Sequence, residues 1–201
     1  MLELLPGTGA VLPGTAGTLG FGMTPDEVAA TLAAVPGAFR SRQCTTLTRA
    51  GYPELRHAHD AWLTGILFDG SWNIAAPFGD VVLTVAGGGP GRTDRLTAIR
   101  VEASARPGAR TTTPVVWDGV DLFGNPARDV ASVLPGPLRP SAPGTADLTA
   151  ERLGLWLGER PRSPGRWSRA VLLRAPTGWE RCCAGTFACA RGGDGLTGIL
   201  F

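Results

Sequence analysis

Apolar residues recur along this chain with two periods, one typical of short helices and one typical of strands. The segment FGMTPDEVAATL at 21–32 has the helical period, with apolar residues four apart on one face. Thr24 is typical of an N-cap, Pro25 suits the first helical turn, and Glu27 completes a capping box. Proline and glycine follow within a few residues and stop a helix. The pattern therefore predicts a short capped helix here.

A second segment, FGNPARDVASVL at 123–134, aligns with the first without a gap. Asn125 is placed to cap a helix, and Pro126 follows it. Both segments read as the end of a strand, a glycine and the start of a helix, so we interpret them as an internal duplication. The identical pairs are Phe21 and Phe123, Gly22 and Gly124, Val28 and Val130, Ala29 and Ala131, and Leu32 and Leu134.

Strand-like runs follow the first helix. Asp69-Gly70 separates AWLTGILF from SWNIA and is a strong signal for a two-residue hairpin turn. Such a turn places Leu67 opposite Trp72 and Gly65 opposite Ile74. GDVVLTVAG at 79–87 and RLTAIRVEA at 95–103 then predict a second antiparallel pair.

The second half repeats this plan less regularly. RLGLWLGE at 152–159 and WSRAVLLRAP at 167–176 predict strands, while PGPLRPSAPGTAD reads as a loop. LTGILF occurs at 63–68 and again at 196–201, which suggests equivalent strands. We predict an α+β fold of two diverged repeats, 1–108 and 109–201, each a short helix packed on an antiparallel sheet and with the second repeat packed against the first.

The Gly-Met-Thr helix start in FGMTPDEV, followed by antiparallel strands and doubled, resembles the tandem repeats of β-lactamase-inhibitor-protein-like and outer-membrane-assembly-lipoprotein-like folds. It is also similar to actinobacterial proteins with related helix starts. The resemblance covers about 12 residues in each copy. It implies a bacterial, non-catalytic binding protein that presents one sheet face to a partner.

Composition excludes several kinds of chemistry. All 19 basic residues are arginine, so neither a Walker A lysine nor a Schiff-base lysine exists. The net charge is only +2 and the arginines are scattered, which argues against nucleic acid as a partner. No run of about 18 apolar residues predicts a membrane span, and the start of the chain lacks a positive leader. We therefore expect a cytoplasmic protein without a cofactor, whose four cysteines are reduced thiols.

The strand before Asp69 carries large apolar side chains on the face that should be solvated. Trp62, Ile66 and Phe68 share this face with Asn73 of the next strand. One explanation is that loops or the other half of the chain cover these apolar side chains. The other is a surface that binds a partner protein, because aromatic residues dominate interface hot spots. These four residues are our candidate partner-binding set.

RHAHD at 56–60 contains both histidines of the chain. In a strand, His57 and His59 point the same way, with Asp60 beside them, as metal ligands do. The cysteines at 182, 183 and 189 lack zinc-ribbon spacing, and no catalytic set is complete. We predict a non-enzymatic protein-binding module, such as an immunity- or inhibitor-type factor. The alternatives are a metal-dependent hydrolase centred on this histidine segment and a carrier of a small ligand.

Overall fold

The described part of the chain forms two mostly antiparallel sheets and two short helices. The computed structural model describes residues 1–41, 72–87, 94–103, 112–140, 147–159 and 165–174. The predictions for Trp62, Ile66, Phe68, His57, His59, Asp60, both LTGILF segments and the four cysteines lie outside these residues.

The smaller sheet has five strands in the order β3-β2-β1-β8-β9. Its centre is the parallel pair β1 and β8, in which Leu2 lies opposite Val115. The other pairs are antiparallel, and Asp118 and Gly119 make the turn of the β8–β9 hairpin. The strands are β1 (Leu2–Leu5), β2 (Gly9–Val11), β3 (Thr18–Gly20), β8 (Val115–Trp117) and β9 (Val120–Asp121).

The larger sheet has eight antiparallel strands in the order β10-β11-β12-β13-β7-β6-β5-β4. The four strands after the first helix form one half, and the four after the second helix form the other. The central strands β7 and β13 pair directly, with Val101 opposite Ala170. The strands are β4 (Phe39–Ser41), β5 (Trp72–Phe78), β6 (Val81–Gly87), β7 (Leu96–Ala103), β10 (Leu138–Pro140), β11 (Leu148–Ala150), β12 (Leu155–Glu159) and β13 (Trp167–Leu173).

The first helix, α1 (Pro25–Leu32), begins as the sequence predicts. The backbone N–H of Glu27 donates to the Thr24 hydroxyl at 3.2 Å, and the Glu27 carboxylate accepts from the Thr24 backbone N–H at 2.7 Å. These bonds satisfy two N–H groups that a helix start leaves without partners. The capping box is therefore confirmed.

The second helix, α2 (Ala127–Val133), begins differently. Its N-cap is Pro126, and no side chain caps it. The Asn125 amide instead donates to the backbone carbonyl of Asp121 at 3.0 Å, so the predicted Asn125 cap is wrong. The carboxylate of Asp121 accepts from the backbone N–H groups of Phe123 and Gly124, and this local turn outcompetes the cap.

Each Phe-Gly segment docks on the start of the last strand of its own half. Gly22 has φ +95° and donates its backbone N–H to Leu96 O at 2.9 Å, while Arg95 Nη1 donates to Gly22 O. In the second half, Arg166 Nη1 donates to Gly124 O. Each Phe-Gly segment thus anchors the start of its helix to the large sheet.

One face of the large sheet, the first face, packs against α1, α2 and the small sheet in a shared core. This core contains side chains from both halves of the chain, such as Val28 and Ile99 from the first and Val130 and Leu172 from the second. Each is at most 1% exposed. The α+β class is therefore confirmed at this level. In the described ranges no helix has the length and apolarity needed to cross a bilayer.

The strands β6 and β7 pair antiparallel, which confirms that prediction. The segments 152–159 and 167–176, predicted as strands, contain β12 and β13, which also pair antiparallel. The hairpin across Asp69-Gly70 is wrong in its predicted register. Ile74 lies opposite Arg40 of β4 on one side and Val85 on the other, so no edge of this strand is left for Gly65 at that point. Leu138–Pro140, predicted as loop, forms strand β10, which is too short to show a period.

Candidate functional site

The opposite face of the large sheet, the second face, carries charged side chains that contact one another. Directly paired residues share a face, so the registers place Pro77, Val82, Glu102, Arg169 and Gly158 in one row across five strands. A neighbouring row crosses all eight strands and contains Phe39, Ala75, Thr84, Arg100, Val171, Trp156, Thr149 and Arg139.

Three charged side chains meet at the middle of this face, and we call them the charged centre: Arg100, Glu102 and Arg169. Arg169 Nε donates to Glu102 Oε1 at 2.7 Å, and Arg100 Nη2 forms an ion pair with the same oxygen. The charged centre lies where β7 of the first half meets β13 of the second. The Glu102 carboxylate therefore ties the two halves together through Arg169, while Arg100 pairs with it from the same strand.

Arg169 is held in a defined orientation. Its guanidinium lies over the indole ring of Trp156, 5.4 Å from the ring centroid, which is a cation–π distance. With Nε bound to Glu102, both the plane and the direction of the guanidinium are fixed. The Arg169 side chain is 19% exposed, whereas Arg100 is only 4% exposed.

Asp147 lies near Arg169 of the charged centre, and the pKa of its carboxyl is raised. Burial raises the pKa of the Asp147 carboxyl above its ordinary value of 3.8, and this effect outweighs the hydrogen bond from the backbone N–H of Glu159 and the attraction of Arg169. The Glu159 N–H donates to Asp147 Oδ1 at 3.2 Å. The carboxyl thus joins the start of β11 to the end of β12.

The second face is buried at its centre and exposed at one corner. Trp156 and Val171 are buried in an apolar cluster that includes Ala86, Ala98 and Leu173 of the same sheet. At the end near β4, by contrast, Phe39 is 60% exposed, Val82 is 36% exposed and Pro77 is exposed. Pro77 pairs with Val82, and Phe39 lies diagonally next to Pro77, so these three form one patch, the exposed corner.

Of the four residues predicted to bind a partner, the structure describes Asn73. Asn73 lies on the second face, but it is 3% exposed and therefore does not present its amide to a partner in this conformation. Trp62, Ile66 and Phe68 fall outside the described residues, so their common face stays a prediction.

The candidate metal ligands His57, His59 and Asp60 also fall outside the described residues. Within the ranges that are described, no group of three His, Cys, Asp or Glu side chains is arranged to hold a metal ion. The hydrolase alternative centred on His57, His59 and Asp60 therefore stays a prediction.

Sequence reasoning did not single out the charged centre or the exposed corner. Alternation in RLTAIRVEA already places Arg100 and Glu102 on one face of β7, since they are two residues apart. PGRTDR at 90–95 and PGRWSR at 164–169 form a second internal match, which points to Arg169. These signals require the β7–β13 pairing before they become a site, and that pairing is not local in sequence.

Comparison with known proteins does not extend these observations. No protein-family model, curated protein or solved structure matches the chain at a significant level.

Proposed function

We propose that this chain is a protein-binding module that uses the second face of its large sheet. The observation that carries the proposal is the exposed corner, in which Phe39, Pro77 and Val82 form a contiguous apolar patch. Contiguous apolar patches on a protein surface mark binding sites more often than isolated apolar side chains do. A protein partner that covers the patch removes its apolar area from water, which favours association.

The surroundings of the exposed corner support this proposal. Along the same row, Val82 is followed by Glu102 and then Arg169, which are 22% and 19% exposed. An apolar patch beside partly exposed charged groups has the composition of a protein interface, with an apolar centre and a polar rim. The patch lies on a sheet, so its side chains are held in register by main-chain hydrogen bonds.

We further propose that the chain consists of two diverged repeats, 1–108 and 109–201. Three features support a duplication. Each half supplies a helix and then four consecutive antiparallel strands, the halves occupy mirrored positions in the large sheet, and each Phe-Gly segment accepts a hydrogen bond from an arginine of its own half. This arrangement is consistent with the resemblance of FGMTPDEV to tandem-repeat binding folds.

The aromatic residues Trp62 and Phe68 belong to the same proposal as a second contact region. Together with Ile66 they give the chain three more large apolar side chains, which the sequence places outside a helical pattern. Such a module is suited to an immunity- or inhibitor-type role. In that role a small protein covers the active or binding surface of another protein.

The test is capture of a partner by purified variants from a lysate of the native host. Val82→Asp places a charge in the exposed corner and should abolish capture. Val133→Asp is the matched control, because Val133 is 52% exposed on α2, which packs on the first face. Trp62→Ala and Phe68→Ala test the second region in the same assay.

The expected result is a protein that co-purifies with the wild type and with Val133→Asp but not with Val82→Asp. Circular dichroism of each variant checks that the fold is retained. Equal capture by Val82→Asp and the wild type contradicts the assignment of the exposed corner. Stoichiometric zinc or manganese in the purified protein favours the hydrolase centred on His57, His59 and Asp60 instead.

A further inference from the structure

Among the described residues of the proposed binding face, Arg169 is an oriented side chain whose terminal nitrogens donate to no oxygen, although the Asp147 carboxyl lies near enough to attract its charge. Arg169 Nε is bound to Glu102 at 2.7 Å, and the guanidinium plane rests on Trp156. Within the described part of the chain, no oxygen accepts a hydrogen bond from the Arg169 Nη1 or Nη2 groups, and its only ion pair is with Glu102. The end of the guanidinium that is suited to a two-pronged contact is thus unoccupied by the sheet.

The chemistry of this group selects the ligand. The planar guanidinium matches the two oxygens of a carboxylate, and such charge-assisted pairs are about twice as strong as neutral hydrogen bonds. Because the orientation of Arg169 is already fixed, little further side-chain entropy is lost when a carboxylate binds. Lysine at this position would offer only a point charge on a flexible stem.

On this basis we propose that the partner presents an aspartate or glutamate side chain to Arg169 while an adjacent apolar side chain contacts the exposed corner. The inference rests on the proposed function, because it concerns the same face. Val82 and Arg169 are two strands apart in one row, which corresponds to about 10 Å. The recognised segment therefore carries an acidic and an apolar side chain at that separation.

A phage-displayed library of random short peptides, selected on the immobilised full-length chain, tests this without knowledge of the natural partner. We expect the enriched peptides to contain an acidic residue near an apolar one. Against Arg169→Gln their affinity should fall by about tenfold to hundredfold, as expected when one side of a partly buried charge pair is removed. Against Arg169→Lys the affinity should fall by about tenfold, because lysine keeps the positive charge but cannot bind both carboxylate oxygens through a planar guanidinium.

Arg139→Gln is the matched control. Arg139 lies on the same face at its far edge, is 66% exposed and pairs with Glu151 at 3.4 Å. Its loss should leave peptide affinity unchanged. Thermal unfolding of each variant verifies the fold, and Arg169→Lys serves as the informative variant where Arg169→Gln does not fold.

The outcomes separate the inference from the proposed function. The inference is overturned if the peptides show no preference for acidic residues and bind Arg169→Gln normally. If the same peptides do not bind Val82→Asp, the proposed binding face is still supported. If no peptide is enriched, or if the enriched peptides ignore both substitutions, the inference and the proposed function both fail.

Discussion

Asp80 provides the sharpest test of how the two halves of the chain are joined. It lies in the turn between β5 and β6, and its carboxylate accepts the backbone N–H groups of Thr112 at 2.5 Å and Thr113 at 2.9 Å. The Thr113 hydroxyl donates to Phe78 O at 3.1 Å. These bonds hold the segment that leads into β8 against the large sheet. Asp80→Asn replaces one accepting oxygen with an NH₂ group, so one backbone N–H loses its partner.

The size of the effect follows from the number and setting of these bonds. A hydrogen bond to a charged group contributes about 1.5 to 3 kcal/mol, and partial exposure to water at this turn lowers that value. We expect Asp80→Asn to reduce the free energy of unfolding by about 1 to 2 kcal/mol. For a chain of this length, the melting temperature should fall by roughly 2 to 8 °C.

The effect depends on pH in a defined direction. Burial acts to raise the pKa of Asp80, but the hydrogen bonds from Thr112 and Thr113 outweigh it and hold the pKa below its ordinary value of 3.8. A carboxyl whose pKa is lowered by folding contributes stability above the unfolded pKa and loses it as the pH falls through the folded value. The difference between the wild type and Asp80→Asn should be constant near neutral pH and shrink below 3.8.

Urea denaturation at neutral pH and in acid measures both predictions. Asp118→Asn is the control, because Asp118 is an exposed turn residue with φ +47°, a conformation that asparagine tolerates well. It should unfold like the wild type at neutral pH. If Asp80→Asn matches Asp118→Asn in midpoint and in pH dependence, the hydrogen bonds of Asp80 do not join the halves as described.

Three further predictions concern the helix start, a partly buried carboxyl and the shared core. Thr24→Ala should lower the free energy of unfolding by about 1 kcal/mol through loss of the cap, whereas Asn125→Ala, which removes no cap, should cost less; equal losses would contradict the different helix starts. Asp147→Asn keeps an oxygen for its backbone donor and removes a partly buried charge. It should match or exceed wild-type stability at neutral pH, and the gain should vanish as the pH falls to the ordinary value of 3.8, since the raised pKa makes the carboxyl destabilising only when ionised; a marked loss at neutral pH in urea titration would refute this. Leu83→Ala, at a fully buried position, should cost about 2 to 5 kcal/mol in thermal or urea unfolding, while Val133→Ala should change little, and similar costs for both would place the core elsewhere.

Local signals in the sequence predicted the features that depend on local contacts. The capping box of α1, the antiparallel pair β6–β7 and the strands β12 and β13 each involve residues close in sequence. The predicted pairing of Gly65 with Ile74 is wrong because β4 occupies the edge of β5 at Ile74. Three residues, Phe39–Ser41, are too few to show the alternation that identifies a strand.

The candidate site was less accessible to sequence reasoning. Arg100 and Glu102 are predictable as neighbours on one face of β7, but Arg169 joins them only through the β7–β13 pairing. Periodicity fixes which face a residue occupies and does not fix which distant strand lies beside it. The exposure of Phe39 and Val82 depends in the same way on which elements cover the sheet, and this is a property of the complete fold.

The pairing of β7 with β13 has a consequence for synthesis of the chain on the ribosome. β7 joins β6 as soon as both have emerged, but 63 residues, 104–166, separate its end from the start of β13. At about 5 to 20 residues per second, the free edge of β7 waits roughly 3 to 13 seconds for its second neighbour. An open strand edge is a template for aggregation, and charged side chains on it discourage pairing with foreign strands. Arg100 and Glu102 lie on β7. The carboxylate that binds Arg169 in the folded protein therefore also discourages β7 from pairing with foreign strands during synthesis.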